Sequence, residues 1–245
     1  MTDAAFEAIP GRGNSPLLLL CDHASNALPH GFGTLGLDAG LFQTHIAYDI
    51  AAAAVTRALA AAYGAPALLG RWSRLLVDLN RGAEDPTLVM KLSDGSIIPG
   101  NRHADASEVA RRIAQFHAPY HAAIARELDR IGPGAVLVSL HSFTPSWKKV
   151  PRIWEVGVLY DRDTRLSAPL MARLAEAGFI VGDNEPYSGA LEGDTLYTHG
   201  TLRHLPHVLI EVRQDLIAGE ARAQEFALRL KPILDAALSD MHSRG

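Results

Sequence analysis

The chain has 245 residues, a single cysteine, a formal net charge of −4 and a hydrophobic content of 48%. That length and apolar content suit one α/β domain with a sizeable core, and the mild charge gives no electrostatic footprint for nucleic acid. No apolar run is long enough to span a bilayer and no signal peptide opens the chain. The lone Cys21 excludes an internal disulfide, so a reducing cytoplasm is the expected compartment.

Residues 1–15 read as a loose lead-in with Pro10, Gly11 and Gly13. An apolar run, Leu17 to Cys21, then stops at the polar group Asp22-His23-Ala24-Ser25-Asn26. Such a run predicts a buried strand of a parallel sheet at about 16–22, with Cys21 as an inert core thiol. A Gly-bearing loop at 29–37 follows. Asp38 reads as the N-cap of a helix that ends at Gly64, which puts His45 and Asp49 on one helical face. A short strand at 65–69 and a strand-like run at 73–81 come next. Residues 82–106 lack periodicity and read as a long functional loop.

Ser107 is the expected cap of a helix to about Ile131, bent at Pro119. A strand at 135–140 ends at His141, and 142–153 reads as an active-site loop. Strands at 155–160 and 179–182 flank a helix at 165–177. A polar excursion at 183–206 leads to the last strand, 207–213, which carries Glu211 and Arg213, and to a final helix at 217–242. This order predicts a single-domain, three-layer αβα sandwich over residues 1–245, with a mixed, mostly parallel sheet and helices on both faces.

Polar groups at the carboxyl ends of buried strands mark the ligand crevice of an open α/β sheet. His23 and His141 stand at two such ends. Imidazole suits Zn²⁺ or another divalent ion, and a catalytic zinc takes three protein ligands with one position left for water. Asp49 is the candidate third ligand, with Asn26 and Asp22 as competitors. Such a zinc acidifies its water and polarises a carbonyl, while a second carboxylate moves the proton to the leaving amine. Glu211 fits that part, because its apolar neighbours Leu209, Ile210 and Val212 would raise its pKa. The competing reading of Glu211 is a buried ion pair with Arg213, two residues along the same strand.

Arg74, Asn80, Arg81 and Arg213 are candidates to hold an anionic substrate, since guanidinium matches carboxylate in a two-bond fork. Asn26, Ser142 and His199 join them as substrate-binding candidates. Asp78 reads alternatively as a structural partner of an arginine. His117, His121, Trp72 and Trp147 read as packing residues, and His45 as a supporting one.

The motifs Cys21-Asp-His-Ala-Ser-Asn26, His45-Ile-Ala-Tyr-Asp49, Asp78-Leu-Asn-Arg81, Ser139-Leu-His-Ser-Phe143, Gly157-Val-Leu-Tyr160, Asn184-Glu-Pro-Tyr187 and Glu211-Val-Arg-Gln-Asp215 keep one order along the chain. Together they resemble the N-formylglutamate amidohydrolase family over about residues 16–220. That family's fold is similar to those of zinc carboxypeptidases and zinc N-acetylmuramoyl-L-alanine amidases. The resemblance implies His23, Asp49 and His141 as zinc ligands and Glu211 as base. It implies hydrolysis of a linear C–N amide in a small anionic N-acyl amino acid, N-formyl included, with zinc-held water as nucleophile. A peptide amidase of the cell-wall type and a catalytically silent small-molecule binder are the alternatives. A monomer or homodimer is expected, with neither nucleic acid nor membrane as partner.

Overall fold

The computed structural model describes residues 4–243. Its strands are, in chain order, β1 (Phe6–Ile9), β2 (Leu17–Cys21), β3 (Ala67–Gly70), β4 (Leu92–Ser93), β5 (Ser96–Ile97), β6 (Val136–Phe143), β7 (Ser146–Trp147), β8 (Val150–Pro151), β9 (Val156–Leu159), β10 (Val181–Asp183) and β11 (His207–Arg213). Its α-helices are α1 (Ala52–Tyr63), α2 (Ala106–Arg112), α3 (Ala118–Ile131), α4 (Ser167–Glu176) and α5 (Glu220–Ser243). Seven strands form one sheet in the order β1-β3-β2-β6-β11-β9-β10. The run β3-β2-β6-β11 is parallel, whereas β1 on β3 and β9 on β11 are antiparallel. The sheet is thus mixed and mostly parallel. Two short hairpins, β4–β5 and β7–β8, stand outside it.

Both faces of the sheet are covered, which explains the unbroken leucines of β2. Leu17, Leu19 and Cys21 pack into a cluster with α1, α4 and α5, while Leu18 and Leu20 pack on the opposite side with Phe116, Tyr120 and Ile124. Strand side chains alternate between faces, so a strand buried on both reads as continuously apolar. The same alternation sorts β6 and β11. Val136, Val138, Leu140, Val208, Ile210 and Val212 join the first cluster, and Leu137 and Leu209 the second. No helix of the described residues is long and apolar enough to cross a membrane.

Three local expectations are corrected. The helix expected from Asp38 to Tyr63 is a 3₁₀ turn at Ala39–Gln43, capped by Asp38, followed by an irregular stretch before α1. The carbonyls that would continue a helix are taken from elsewhere: Ala47 accepts from the Ser73 hydroxyl and the Arg74 amide, and Ile50 from the Ser142 hydroxyl. His45 and Asp49 therefore share no helical face. The run at 73–81 is a chain of turns rather than a strand. β1, expected as lead-in, is a half-exposed edge strand on β3.

Smaller differences follow the same logic. The cap of α2 is Asp105, whose carboxylate accepts from the Glu108 amide, not Ser107. A π-helical turn, Ile113–His117, joins α2 to α3, and Pro119 stands in the first turn of α3, where no N–H is needed. β6 continues through Ser142 to Phe143 before the β7–β8 hairpin replaces the expected loop.

Candidate active site

Register brings the site together. Leu20 of β2 lies opposite Ser139 of β6, and His141 of β6 lies opposite Glu211 of β11. Extending the alternation, Asp22, Ser139, His141 and Glu211 share the sheet face that carries Leu18, Leu20, Leu137 and Leu209. Glu211 is flanked on its other side by Gly157 of β9. A side chain at 157 would run into the Glu185 carbonyl and the Glu211 Cβ, so glycine there leaves room for the glutamate. Asp49 is tied in by its own backbone, whose amide donates to the His23 carbonyl at 2.9 Å.

The two imidazoles meet edge to face with ring centres 4.9 Å apart. Each turns Nδ1 toward Asp49 Oδ2, at 3.3 Å from His23 and 2.7 Å from His141. Each turns Nε2 to a different buried carboxylate: His23 to Asp78 Oδ1 at 2.6 Å, and His141 to Asp22 Oδ2 at 2.9 Å. An ionised carboxylate only accepts, so an imidazole with a carboxylate on both nitrogens donates from both as a cation, and on giving up its Nδ1 proton it keeps Nε2–H and presents the Nδ1 lone pair. Asp22 is braced by the Ser139 and Thr195 hydroxyls. Asp78 is braced by Arg74 and by the Asn80 amide. Arg74 also stands 3.6 Å from Asp49 Oδ1.

Electrostatics follow the geometry. Burial pushes the His141 imidazolium down, but Asp22 and Asp49 outweigh it and hold its pKa well above the ordinary value. Burial and Arg74 oppose the His23 cation too, yet Asp78 and Asp49 raise it. Burial raises Asp22, but the bonds and charges of His141, His23 and Thr195 bring it to about 2. Glu211 goes the other way: burial lifts its pKa to about 7 against the pull of His141. Its Oε2 is buried with no hydrogen-bond partner.

The cluster lies in a cavity of about 620 Å³ that is lined by His23, Asp49, His141 and Glu211. Of the substrate-binding candidates, Arg74, Asn80, Arg81 and Ser142 also line it. Three others face elsewhere. The Asn26 amide donates to the Phe42 carbonyl. His199 donates or accepts at His121, 2.9 Å away. Arg213 bonds Asp215 and the carbonyls of 152–154, so the Glu211–Arg213 pair does not form. The sequence reading passed over two polar residues, Thr195 and Asp194 of the 183–206 excursion, and it gave Asp78 an arginine partner, which Arg74 is, without the bond to His23. Asp194 lines the cavity with its pKa lifted by burial to about 7.

The donor set fits a divalent ion. Two imidazole nitrogens and a carboxylate oxygen, all buried, lie within 4.8 Å of one another. Two nitrogens and one carboxylate make up a common ligand set of catalytic zinc. Each histidine has the carboxylate on its far nitrogen that fixes a ligand's tautomer and orientation.

Sheet, cluster and pocket together define an α/β protein with a buried His–His–Asp donor set at the floor of a strand-end cavity. The sequence model described as N-formylglutamate amidohydrolase matches residues 15–218, and the chain belongs to that family. It is 30% identical over 202 residues to an N-formylglutamate deformylase of Pseudomonas aeruginosa, covering 74% of this chain and 72% of that one. It is 34% identical to a gene product of Agrobacterium tumefaciens whose crystal structure superposes with a TM-score of 0.92, over 98% of this chain and 97% of that one. The crystal structure of an N-formylglutamate amidohydrolase from Ralstonia eutropha shares the fold at a TM-score of 0.69 and 23% identity, over 94% and 97% of the two chains.

Proposed function

We propose that the protein hydrolyses the linear amide of a small N-acyl amino acid, an N-formyl amino acid among them. His23, Asp49 and His141 would hold zinc or another divalent ion, and Glu211 would move the proton. The observation that carries this is the pairing of the two Nδ1 atoms on Asp49 with a partnerless, buried Glu211 oxygen in the same cavity. The chemistry such an ion supplies when bound is Lewis acidity, which polarises a carbonyl oxygen and acidifies water.

The residues of the chain do the rest. Glu211 takes the proton of the attacking water as its oxygen bonds to the acyl carbon. It then gives that proton to the amide nitrogen as the C–N bond breaks, releasing an amine and a carboxylic acid that ionises to its carboxylate in water. A carboxylate with its pKa lifted toward neutrality can serve in both directions. Arg81 lines the cavity and forms no ion pair among the described residues, so its fork is free for the substrate carboxylate. Arg74 is committed to Asp78 and Asp49 and holds the cluster in place.

Two variants test the reading. Glu211→Gln should keep near-stoichiometric metal by elemental analysis but lose about 10²–10⁴-fold in kcat. His141→Ala should lose metal and turnover together. Wild-type turnover by Glu211→Gln would remove the glutamate from the mechanism.

A further inference from the structure

The motif Asn184-Glu-Pro-Tyr187 has no part in the histidine cluster, yet the fold locks it against the same cavity. The Glu185 carbonyl occupies the space that a side chain at Gly157 or Gly182 would need, and Gly189 packs on the backbone of Leu159 and Tyr160. The Asn184 side chain closes the segment by accepting from the amides of Tyr160 and Gly189, at 3.1 and 2.9 Å. The stretch is thereby fixed across the end of β9, where Tyr187 and Ser188 line the cavity. Gly157 is the β9 partner of Glu211, so Tyr187 stands on the Glu211 side.

Tyr187 is paired there with a cation. Arg152, the residue after β8, donates from Nη2 to the Tyr187 hydroxyl at 3.2 Å and from Nη1 to the Thr144 hydroxyl at 3.1 Å. Its guanidinium lies 5.1 Å from the ring centre of Tyr187 and 5.6 Å from those of Phe143 and Trp147. Phe143, Thr144 and Tyr187 all line the cavity, so Arg152 borders it through three neighbours. Aromatic faces steady a guanidinium without neutralising it, and no carboxylate pairs with Arg152 among the described residues. The guanidinium donates to the phenol oxygen, which leaves the phenol hydrogen to donate onward. Burial and the charge of Glu211 push the Tyr187 pKa up, so the phenol keeps that hydrogen. Two fixed donors side by side, one of them charged, match a carboxylate.

Glu211 hands its proton to the leaving nitrogen, so the amino-acid half of the substrate lies on its side of the cavity, where Tyr187 stands. Arg81 reaches the cavity from the separate strip at 73–81 and is free for the α-carboxylate. The group that meets Arg152 is then the amino-acid side chain. Resting on the amidohydrolase reading above, we propose that Arg152 and Tyr187 are the residues that select this side chain. Together they bind a side-chain carboxylate, Arg152 by its charge and Tyr187 by its phenol hydrogen.

The test uses N-formyl-L-glutamate and N-formyl-L-glutamine, which match in shape and differ in side-chain charge, on the metal-loaded wild type, Arg152→Gln and Tyr187→Phe. The wild type should favour the glutamate compound at least about tenfold in kcat/KM. Arg152→Gln should abolish that preference by raising KM for the glutamate compound at least about tenfold, with the glutamine compound held within about twofold. Tyr187→Phe keeps the ring and should shrink the preference by about three- to tenfold. A wild type indifferent to the charge would overturn the proposal. So would a preference unchanged in both variants, or an equal loss on both compounds in both variants, which would assign the pair to packing or to the α-carboxylate. Calorimetric binding of N-formyl-L-glutamate to Glu211→Gln, with and without Arg152→Gln, separates the two readings. Binding that depends on Arg152, without hydrolysis by the metal-loaded wild type, would overturn the amidohydrolase reading and leave the carboxylate subsite standing. Neither binding nor hydrolysis would overturn both.

Discussion

Asp22 and His23 are neighbours in sequence, yet Asp22 serves His141 and His23 is served by Asp78. Adjacent residues leaving a strand point to opposite sides, so a carboxylate next to a histidine is poorly placed to bond it. The partners come from register instead, since Asp22 continues the row that sets Leu20 against Ser139. This is why the strand-end histidines and Glu211 were legible from apolar runs, while the carboxylates behind them were not. Asp78 was read as the partner of an arginine, which it is, but its bond to His23 depends on a fold of turns that no periodicity reports. Partners behind metal-ligand histidines typically control metal affinity by about 10–100-fold. Asp78→Asn and Asp22→Asn should each weaken zinc binding by that amount in a chelator competition titration, with circular dichroism unchanged. Wild-type affinity in both would reduce these acids to packing.

At the level of elements, the instructive failure is residues 73–81. Leu75, Leu76, Val77 and Leu79 are all buried, so the composition resembles a strand, but no ladder takes their backbone. Side chains from distant helices do so. Asn101 bonds the Leu75 carbonyl, Arg112 that of Leu76, His121 that of Leu79 and His117 that of Arg81. Buried carbonyls must be satisfied, and here tertiary donors replace the sheet. His117 of the π-helical turn and His121 of α3, read as packing residues, therefore hold the strip that presents Asp78, Asn80 and Arg81 to the cavity. They do so uncharged. Burial, reinforced by neighbouring histidines, lowers His121 to about 3, and burial with Arg203 lowers His199 to about 4. Below about pH 6.5 an unfolded histidine takes a proton that these two refuse. The unfolded chain then binds more protons than the native one, so stability is full above that pH and falls as pH drops from 6.5 toward 4 and 3. His121→Gln keeps a donor for Leu79 and removes one titrating group. It should lose at least about 1 kcal/mol less than the wild type between pH 6.5 and 5 in urea unfolding. Parallel curves would show that His121 is not carried neutral.

Across the whole molecule, the three polar strand ends are 118 and 70 residues apart in number, and the sheet order makes them neighbours because β2, β6 and β11 are adjacent and parallel. The parallel arrangement puts all three carboxyl ends on one edge, which was readable from the apolar runs alone. The antiparallel return of β9, which brings Gly157 beside Glu211, was not, since its run Val156–Leu159 is as apolar and as buried as those of the parallel strands. Convergence also concentrates charge. Asp22, Asp49, Asp78 and Glu211 are all buried within this one site, and Arg74 faces two of them. Burying carboxylates without enough opposing charge costs several kcal/mol per ion, so the fold as a whole should depend on the ion its donor set fits. A ligand that binds only the native state stabilises it by about 2.7 kcal/mol at a hundredfold excess over its Kd. For a chain of this size each kcal/mol moves the midpoint by about 2–4 °C. Removing metal with a chelator, then dialysing the chelator away, should therefore lower Tm by about 5–10 °C, and restoring zinc should recover it. The same cycle on His141→Ala should give no shift. A wild-type Tm indifferent to metal would mean that imidazolium protons alone balance the buried carboxylates, and that the cluster is a structural ion-pair network rather than a metal centre.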